Sequence, residues 1–118
     1  MYPTTQDFVS ALGQSGELAR IDARVSPVLE IAEIADRVSK SQAPNSPSPA
    51  TRASDPRFHR MGGKALLFTN VEGSDVPVLI NAWGSYRRVE MALGCNDQGH
   101  TPGGLEALAE RLGKLVKP

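Results

Sequence analysis

Nucleophilic catalysis of the Ser-His-Asp or Cys-His kind needs a base oriented beside its nucleophile, and the sequence offers two histidines, His59 and His100. Both fall in stretches that read as loops. His59 lies in a proline-rich segment, where a surface role is the simpler reading. Cys95, Asp97 and His100 bring three ligand types within six positions. A fourth ligand and a fixed scaffold are missing, so they read as a polar loop with a free thiol and not as a zinc site. Gly62-Gly63 and Gly103-Gly104 lack the glycine spacing and the Lys-Ser/Thr pair of a phosphate-cradling loop. The first pair reads as a turn into a strand, the second as the weak first turn of a helix. Glu30, Glu33 and Asp36 are most simply the wet face of an amphipathic helix. Arg87 and Arg88 follow Ser85, a helix-capping residue, and can join the free N–H groups of that helix in holding an anion. Cations at the positive end of a helix also oppose its dipole, which asks for a partner such as Glu90 or another domain. Trp83, the one tryptophan, stands at a strand end, where an aromatic packs over a sheet edge or an interface. The residues thus assemble no catalytic, cofactor-binding or metal-binding set. Trp83, Arg87 and Arg88 are left as candidates for contact with another domain.

The elements that position these residues follow from periodicity. Thr4 or Thr5 can cap a first helix with Phe8, Val9 and Leu12 on one face, stopped by Gly16. From Glu17 to Val25 the chain alternates, with Ala19, Ile21, Ala23 and Val25 pointing one way and Arg20, Asp22 and Arg24 the other, as in a half-buried strand. Ser26-Pro27 predicts a helix from about Pro27 to Ser39, with Ile31, Ile34, Ala35 and Val38 inward and Glu33 and Arg37 paired at i,i+4. Residues 41–60 contain four prolines and almost nothing to bury; they read as a mobile insertion anchored only by Phe58 and His59. Ala65 to Phe68 and Val76 to Ile80 are apolar runs flanking Glu72-Gly73-Ser74-Asp75, and predict two paired strands. A helix capped by Ser85, with Val89, Ala92 and Leu93 inward, follows and ends at Gly94. A last helix begins at Thr101-Pro102 and carries Leu105, Leu108, Ala109, Leu112, Leu115 and Val116 as its apolar stripe. No internal repeat is visible. The expected fold is α+β, a small, mostly antiparallel sheet of about three strands with helices packed on one face.

The totals narrow the function classes. A chain of 118 residues fits one domain with one modest core. A formal net charge of zero with 22% charged residues supplies no field toward nucleic acid or an anionic membrane. One cysteine rules out an internal disulfide and favours a reducing, cytoplasmic compartment. The first residues lack a signal-peptide pattern, and no apolar run approaches the ~20 residues of a membrane span.

Taken in order, the segments DFVSALGQSGELARIDARVSP, VLEIAEIADRVSK, KALLFTNVEGSDVPVLINAWGSYRRVEMALG and LAERLGKLVKP resemble the N-terminal domain of the UbiD family of decarboxylases. The most specific parts are the Gly16-Glu17-Leu18 step into a strand, the run Glu30 to Arg37, and the hairpin ending in Gly84-Ser85-Tyr86-Arg87-Arg88. The resemblance spans nearly the whole chain outside the insertion. It implies a non-oxidative, reversible decarboxylase of aromatic or α,β-unsaturated carboxylic acids, typified by the enzyme of ubiquinone synthesis. The family's full-length, homo-oligomeric enzymes use prenylated FMN with a divalent metal and potassium. The family's Glu-Arg-Glu catalytic set and its flavin-phosphate ligands belong to a following split-barrel domain, and no position here matches those motifs. The expectation is an N-terminal fragment, inactive alone, that packs on that flavin domain. The alternative is a free-standing, non-catalytic interaction module. The insertion at 41–60 is longer and richer in proline than in the shortest members of the family, which leaves the substrate open.

Overall fold

The computed structural model describes residues 2–47, 49–54, 56–57, 60–94 and 105–116. Helix α1 (Thr5–Gln14) starts where Thr4 takes an extended conformation and its hydroxyl accepts from the Asp7 N–H at 3.1 Å. It leads into β1 (Leu18–Ile21), then α2 (Glu30–Ser39), α3 (Pro49–Ser54), β2 (Ala65–Phe68), β3 (Val78–Ile80), α4 (Tyr86–Ala92) and α5 (Leu105–Leu115).

The three strands form one sheet in the order β1-β2-β3. β2 and β3 are antiparallel, with Leu66 opposite Ile80 and Phe68 opposite Val78, so the two apolar runs pair as their sequence predicts. β1 runs parallel to β2, Leu18 opposite Ala65 and Ile21 opposite Phe68. The sheet is therefore mixed, which corrects the mostly antiparallel expectation. The cause is topological: a parallel pair needs a long crossover, and α2 with the segment that follows it supplies one. Beyond Ile21 the strand frays to a single parallel bridge between Val25 and Val71, and the long alternating run is a strand only over its first half.

β2, the central strand, is buried on both faces, and its neighbours sort by parity. Leu66 and Phe68 join Val25, Ile31 and Val71 in one cluster, against which Ala19, Ile21, Val78, Ile80 and the α2 residues Ile34, Ala35 and Val38 pack. Ala65 joins Phe8 and Leu12 of α1 and Met91 of α4, with Leu18, Leu79 and Ala92 around them. Helices thus cover both faces of the sheet and not one: the chain builds two half-cores, because the apolar run of β2 has no wet side to spare.

One further expectation changes, and segment 41–60 carries a short helix. α2 begins at Glu30, three residues later than Ser26-Pro27 suggests. The Ser26 hydroxyl accepts from the Val28 N–H at 3.2 Å, Glu30 takes the Ser26 N–H at 2.8 Å, and Leu29 at φ 151° holds the chain out of the helix until its last step. In segment 41–60, α3 forms and Pro47 and Thr51 are buried. The Thr51 hydroxyl donates to the buried carboxylate of Glu90 at 2.8 Å. The base of the excursion is pinched by a bridge between Gln42 and Met61 and by the Gly63 N–H donating to the Ser41 carbonyl. Phe58, His59, the Cys95, Asp97 and His100 set, Thr101-Pro102 and Gly103-Gly104 lie outside the described residues.

Candidate functional site

The polar centre of the domain forms where the start of α4 meets the entrance to β2. Ser85 is extended and accepts from the Arg88 N–H at 3.2 Å, as a capping serine should. The cap turns Arg88 inward, and its side chain is fully buried. One terminal nitrogen of Arg88 donates to Glu17 Oε2 at 3.1 Å and to the Gly63 carbonyl at 2.6 Å; the other donates to the Gly62 carbonyl at 3.2 Å. Glu17 is equally buried, and its other oxygen accepts from Asn45 at 3.2 Å. Arg88 Nε has no partner among the described residues. Burial pulls the guanidinium below its ordinary pKa, and the charge of Glu17 opposes that shift.

The glycine pair is the floor of this arrangement. Gly62 has φ 110°, and a Cβ there would fall 1.8 Å from the carbonyl oxygen of Gly84. Asn81, at φ 57°, bridges the same floor, its amide nitrogen donating to the Gly62 carbonyl at 2.7 Å and to the Lys64 carbonyl at 2.8 Å. A turn into a strand is the sequence reading of Gly62-Gly63, and the geometry adds why: three side-chain donors converge on the carbonyls of two buried glycines.

The sequence-predicted contact residues separate. Arg88 is internal, with Glu17 as the partner that the helix dipole asked for, and Glu90 faces Thr51 instead. Arg87 is half-buried, and Trp83 is 65% exposed. Glu30, Glu33 and Asp36 are on the wet face of α2, as read, with Glu33 on Arg37 and Asp36 on Lys40, each at 2.8 Å. The residues missed are Glu17, Asn45 and Asn81. The available signal was a glutamate immediately before a half-buried strand and an asparagine immediately after another, positions where a polar side chain turned inward needs a partner.

Two shallow grooves flank Trp83. One, of about 340 Å³, is lined by Met61, Trp83, Tyr86 and Val89 with Ser39 and Ser85; the other, of about 420 Å³, by Tyr2, Phe8, Leu79 and Trp83 with Thr4 and Thr5. Among the described residues no Asp, Glu, Lys, Arg or His lines either groove, so a flavin phosphate placed there meets no counter-charge from them. Among the described residues no group of three His, Cys, Asp or Glu side chains is placed to hold a metal. These residues do not fit a metal-bridged flavin phosphate. Among them, too, no helix is long and apolar enough to cross a membrane.

Residues 9–112 match the family model described as the 3-octaprenyl-4-hydroxybenzoate carboxy-lyase N-terminal domain. The chain is 37% identical over 117 residues to a protein of Aquifex aeolicus, covering 99% of this chain and 19% of that one. It is 37% identical over 111 residues to a protein of Archaeoglobus fulgidus, covering 94% of this chain and 18% of the relative. The chain spans about a fifth of the length of these relatives. With the match running from α1 into α5 and taking in β1, the hairpin and the Arg88 centre, the chain belongs to the UbiD family as an N-terminal domain.

Proposed function

We propose that this domain serves a non-oxidative decarboxylase of aromatic or α,β-unsaturated carboxylic acids, and that its own task is to pack on the enzyme's flavin-binding domain. The observation that carries this reading is the family match over residues 9–112 in a chain that corresponds to only a fifth of its relatives. Prenylated FMN, bound with a divalent metal and potassium in the flavin domain, supplies the electron sink for loss of CO2. The residues of this domain do none of that chemistry. They fold about the buried Glu17 and Arg88 pair and present Trp83 outward, and Trp83 with the half-buried Arg87 supplies the contact surface. The enzyme acts in the cytoplasm as a homo-oligomer.

The test compares the 118-residue chain with the longer protein that carries the flavin domain, both supplied with prenylated FMN, manganese and potassium. The longer protein is expected to hold the flavin through gel filtration and to release CO2 from an unsaturated aromatic acid. The 118-residue chain is expected to do neither. Retention of the flavin by the 118 residues alone overturns the assignment of the cofactor to another domain. A longer protein that neither retains flavin nor decarboxylates overturns the decarboxylase reading.

A further inference from the structure

The five residues between β3 and α4, Asn81 to Ser85, are braced at more points than a connector requires. Asn81 holds the left-handed conformation that asparagine tolerates better than most residues, and its side chain ties the loop to the Gly62 and Lys64 carbonyls. The Gly84 N–H returns to the Asn81 carbonyl at 3.2 Å. A Cβ at Gly84 would fall 1.8 Å from Asn81 Oδ1, so the two residues interlock. Ser85 closes the far end as the cap of α4. At the centre of this braced loop stands Trp83, 65% exposed and forming the wall common to both grooves. Tryptophan is among the residue types that most often carry binding energy, and a side chain on an already ordered backbone loses less freedom when it is covered.

We propose that the Trp83 loop is a preformed docking knob for the following domain, and that Asn81 is the positioning residue that holds it ready. This rests on the functional reading above, which names the occupant as the flavin-binding domain. Two observations favour that occupant. The relatives carry this domain as about a fifth of a longer chain. Among the described residues the grooves on either side of the indole have neutral, largely apolar linings, which suit a covalently attached partner of apolar surface better than a charged ligand.

Because Trp83 is the only tryptophan, fluorescence reports this loop alone. Time-resolved anisotropy of the 118-residue chain is compared with Asn81→Ala and Asn81→Gly. Glycine accepts φ 57° without strain, so Asn81→Gly removes the two side-chain bonds while leaving the loop conformation accessible. The fast depolarisation amplitude is expected to rise about twofold in Asn81→Gly with circular dichroism unchanged. An unchanged amplitude overturns the positioning role, and this variant decides the point if Asn81→Ala does not fold. Docking is read by amide exchange at residues 82–86 in the longer protein against the 118-residue chain, where about tenfold slowing is expected and Trp83→Ala in the longer protein is expected to abolish it. Equal exchange rates in the two proteins overturn the docking. A longer protein that fails to bind prenylated FMN overturns the identity of the occupant, while the anisotropy result on the 118-residue chain stands apart from it.

Discussion

Arg37 and Arg88 each hold a carboxylate, Glu33 at 2.8 Å and Glu17 at 3.1 Å, yet one pair is fully buried and the other about two-thirds to three-quarters exposed. The Arg37 pair is one turn of α2 talking to the next. Water screens it, and pairs of this kind contribute about 0.3–0.5 kcal/mol. The Arg88 pair joins the first turn of α4 to the residue before β1, 71 positions away, and carries the Gly62 and Gly63 carbonyls with it. Its desolvation offsets much of its attraction, so it need not stabilise the domain more than two apolar side chains of the same size would. What it does is fix geometry, because neither ion tolerates the loss of the other. The two apolar half-cores hold the helices on the sheet, and the buried pair decides how α4, β1 and the glycine turn meet.

The buried pair is most exposed to substitution at Glu17. Glu17→Gln leaves a buried guanidinium facing a neutral amide, and we expect a loss of about 3–5 kcal/mol in urea unfolding followed by far-UV circular dichroism. Combining Glu17→Met with Arg88→Met removes both charges, and should return most of that loss. A double variant as unstable as the single one would show that the carbonyl contacts of Arg88, and not the pairing of charge, dominate.

The floor of the pair should be nearly as sensitive. Gly62→Ala puts a methyl 1.8 Å from the Gly84 carbonyl at a backbone φ of 110° that alanine disfavours. Strain of this kind costs on the order of 1–3 kcal/mol, and the steric conflict adds to it. The expected outcome is a lowered melting temperature together with a changed Trp83 emission, since Gly84 is the neighbour of that indole. Unchanged emission in a destabilised Gly62→Ala would separate the floor from the Trp83 loop.

Legibility from sequence divides along the same line as the two arginines. The i,i+4 pair of Glu33 and Arg37 was readable because helical spacing is local, and so were the Thr4 and Ser85 caps, the β2 and β3 hairpin and the wet face of α2. The Arg88 pair was half readable. A cation at a helix start announced the need for a partner, but periodicity carries no information on which distant residue supplies it, and the nearby Glu90 is bonded to Thr51 instead. The parallel pairing of β1 and the second helical layer were hidden for the same reason. Both depend on where the crossover through α2 carries the chain, and alternation in β1 is the same for a parallel or an antiparallel neighbour. Asn81 was only half readable: an asparagine just after a strand marks a position that favours a left-handed turn, but nothing local says that its side chain reaches back to the Gly62 and Lys64 carbonyls.

At the exposed end of the comparison, Arg37→Ala should shift stability by no more than about 0.5 kcal/mol, the better helix propensity of alanine offsetting the lost pair. A loss several times larger in chemical unfolding would mean that α2 depends on its surface charges, and that buried and exposed pairs do not differ in what they do for the fold.

The smallest effect is a matter of protonation. Asp22 is about two-thirds exposed, yet its carboxylate takes the Thr69 hydroxyl at 2.5 Å and Arg20 Nε at 2.9 Å, and these hold its pKa below the ordinary value of 3.8, Thr69 contributing most. The sign follows from linkage. A carboxyl whose pKa is lower folded than unfolded favours the fold while ionised, so its contribution is complete above the unfolded value and disappears as pH falls through the folded one. Thr69→Val removes the larger cause and should raise the Asp22 pKa in a carbon-detected titration, while Arg20→Gln should raise it less. Arg88 is the opposite case: burial lowers its pKa and a charge partner opposes the shift, whereas at Asp22 hydrogen bonds lower the pKa and burial opposes them. An Asp22 that titrates normally in the wild type would mean that exposed contacts of this geometry leave no mark in water, which would widen the gap between the two arginine pairs to one of kind.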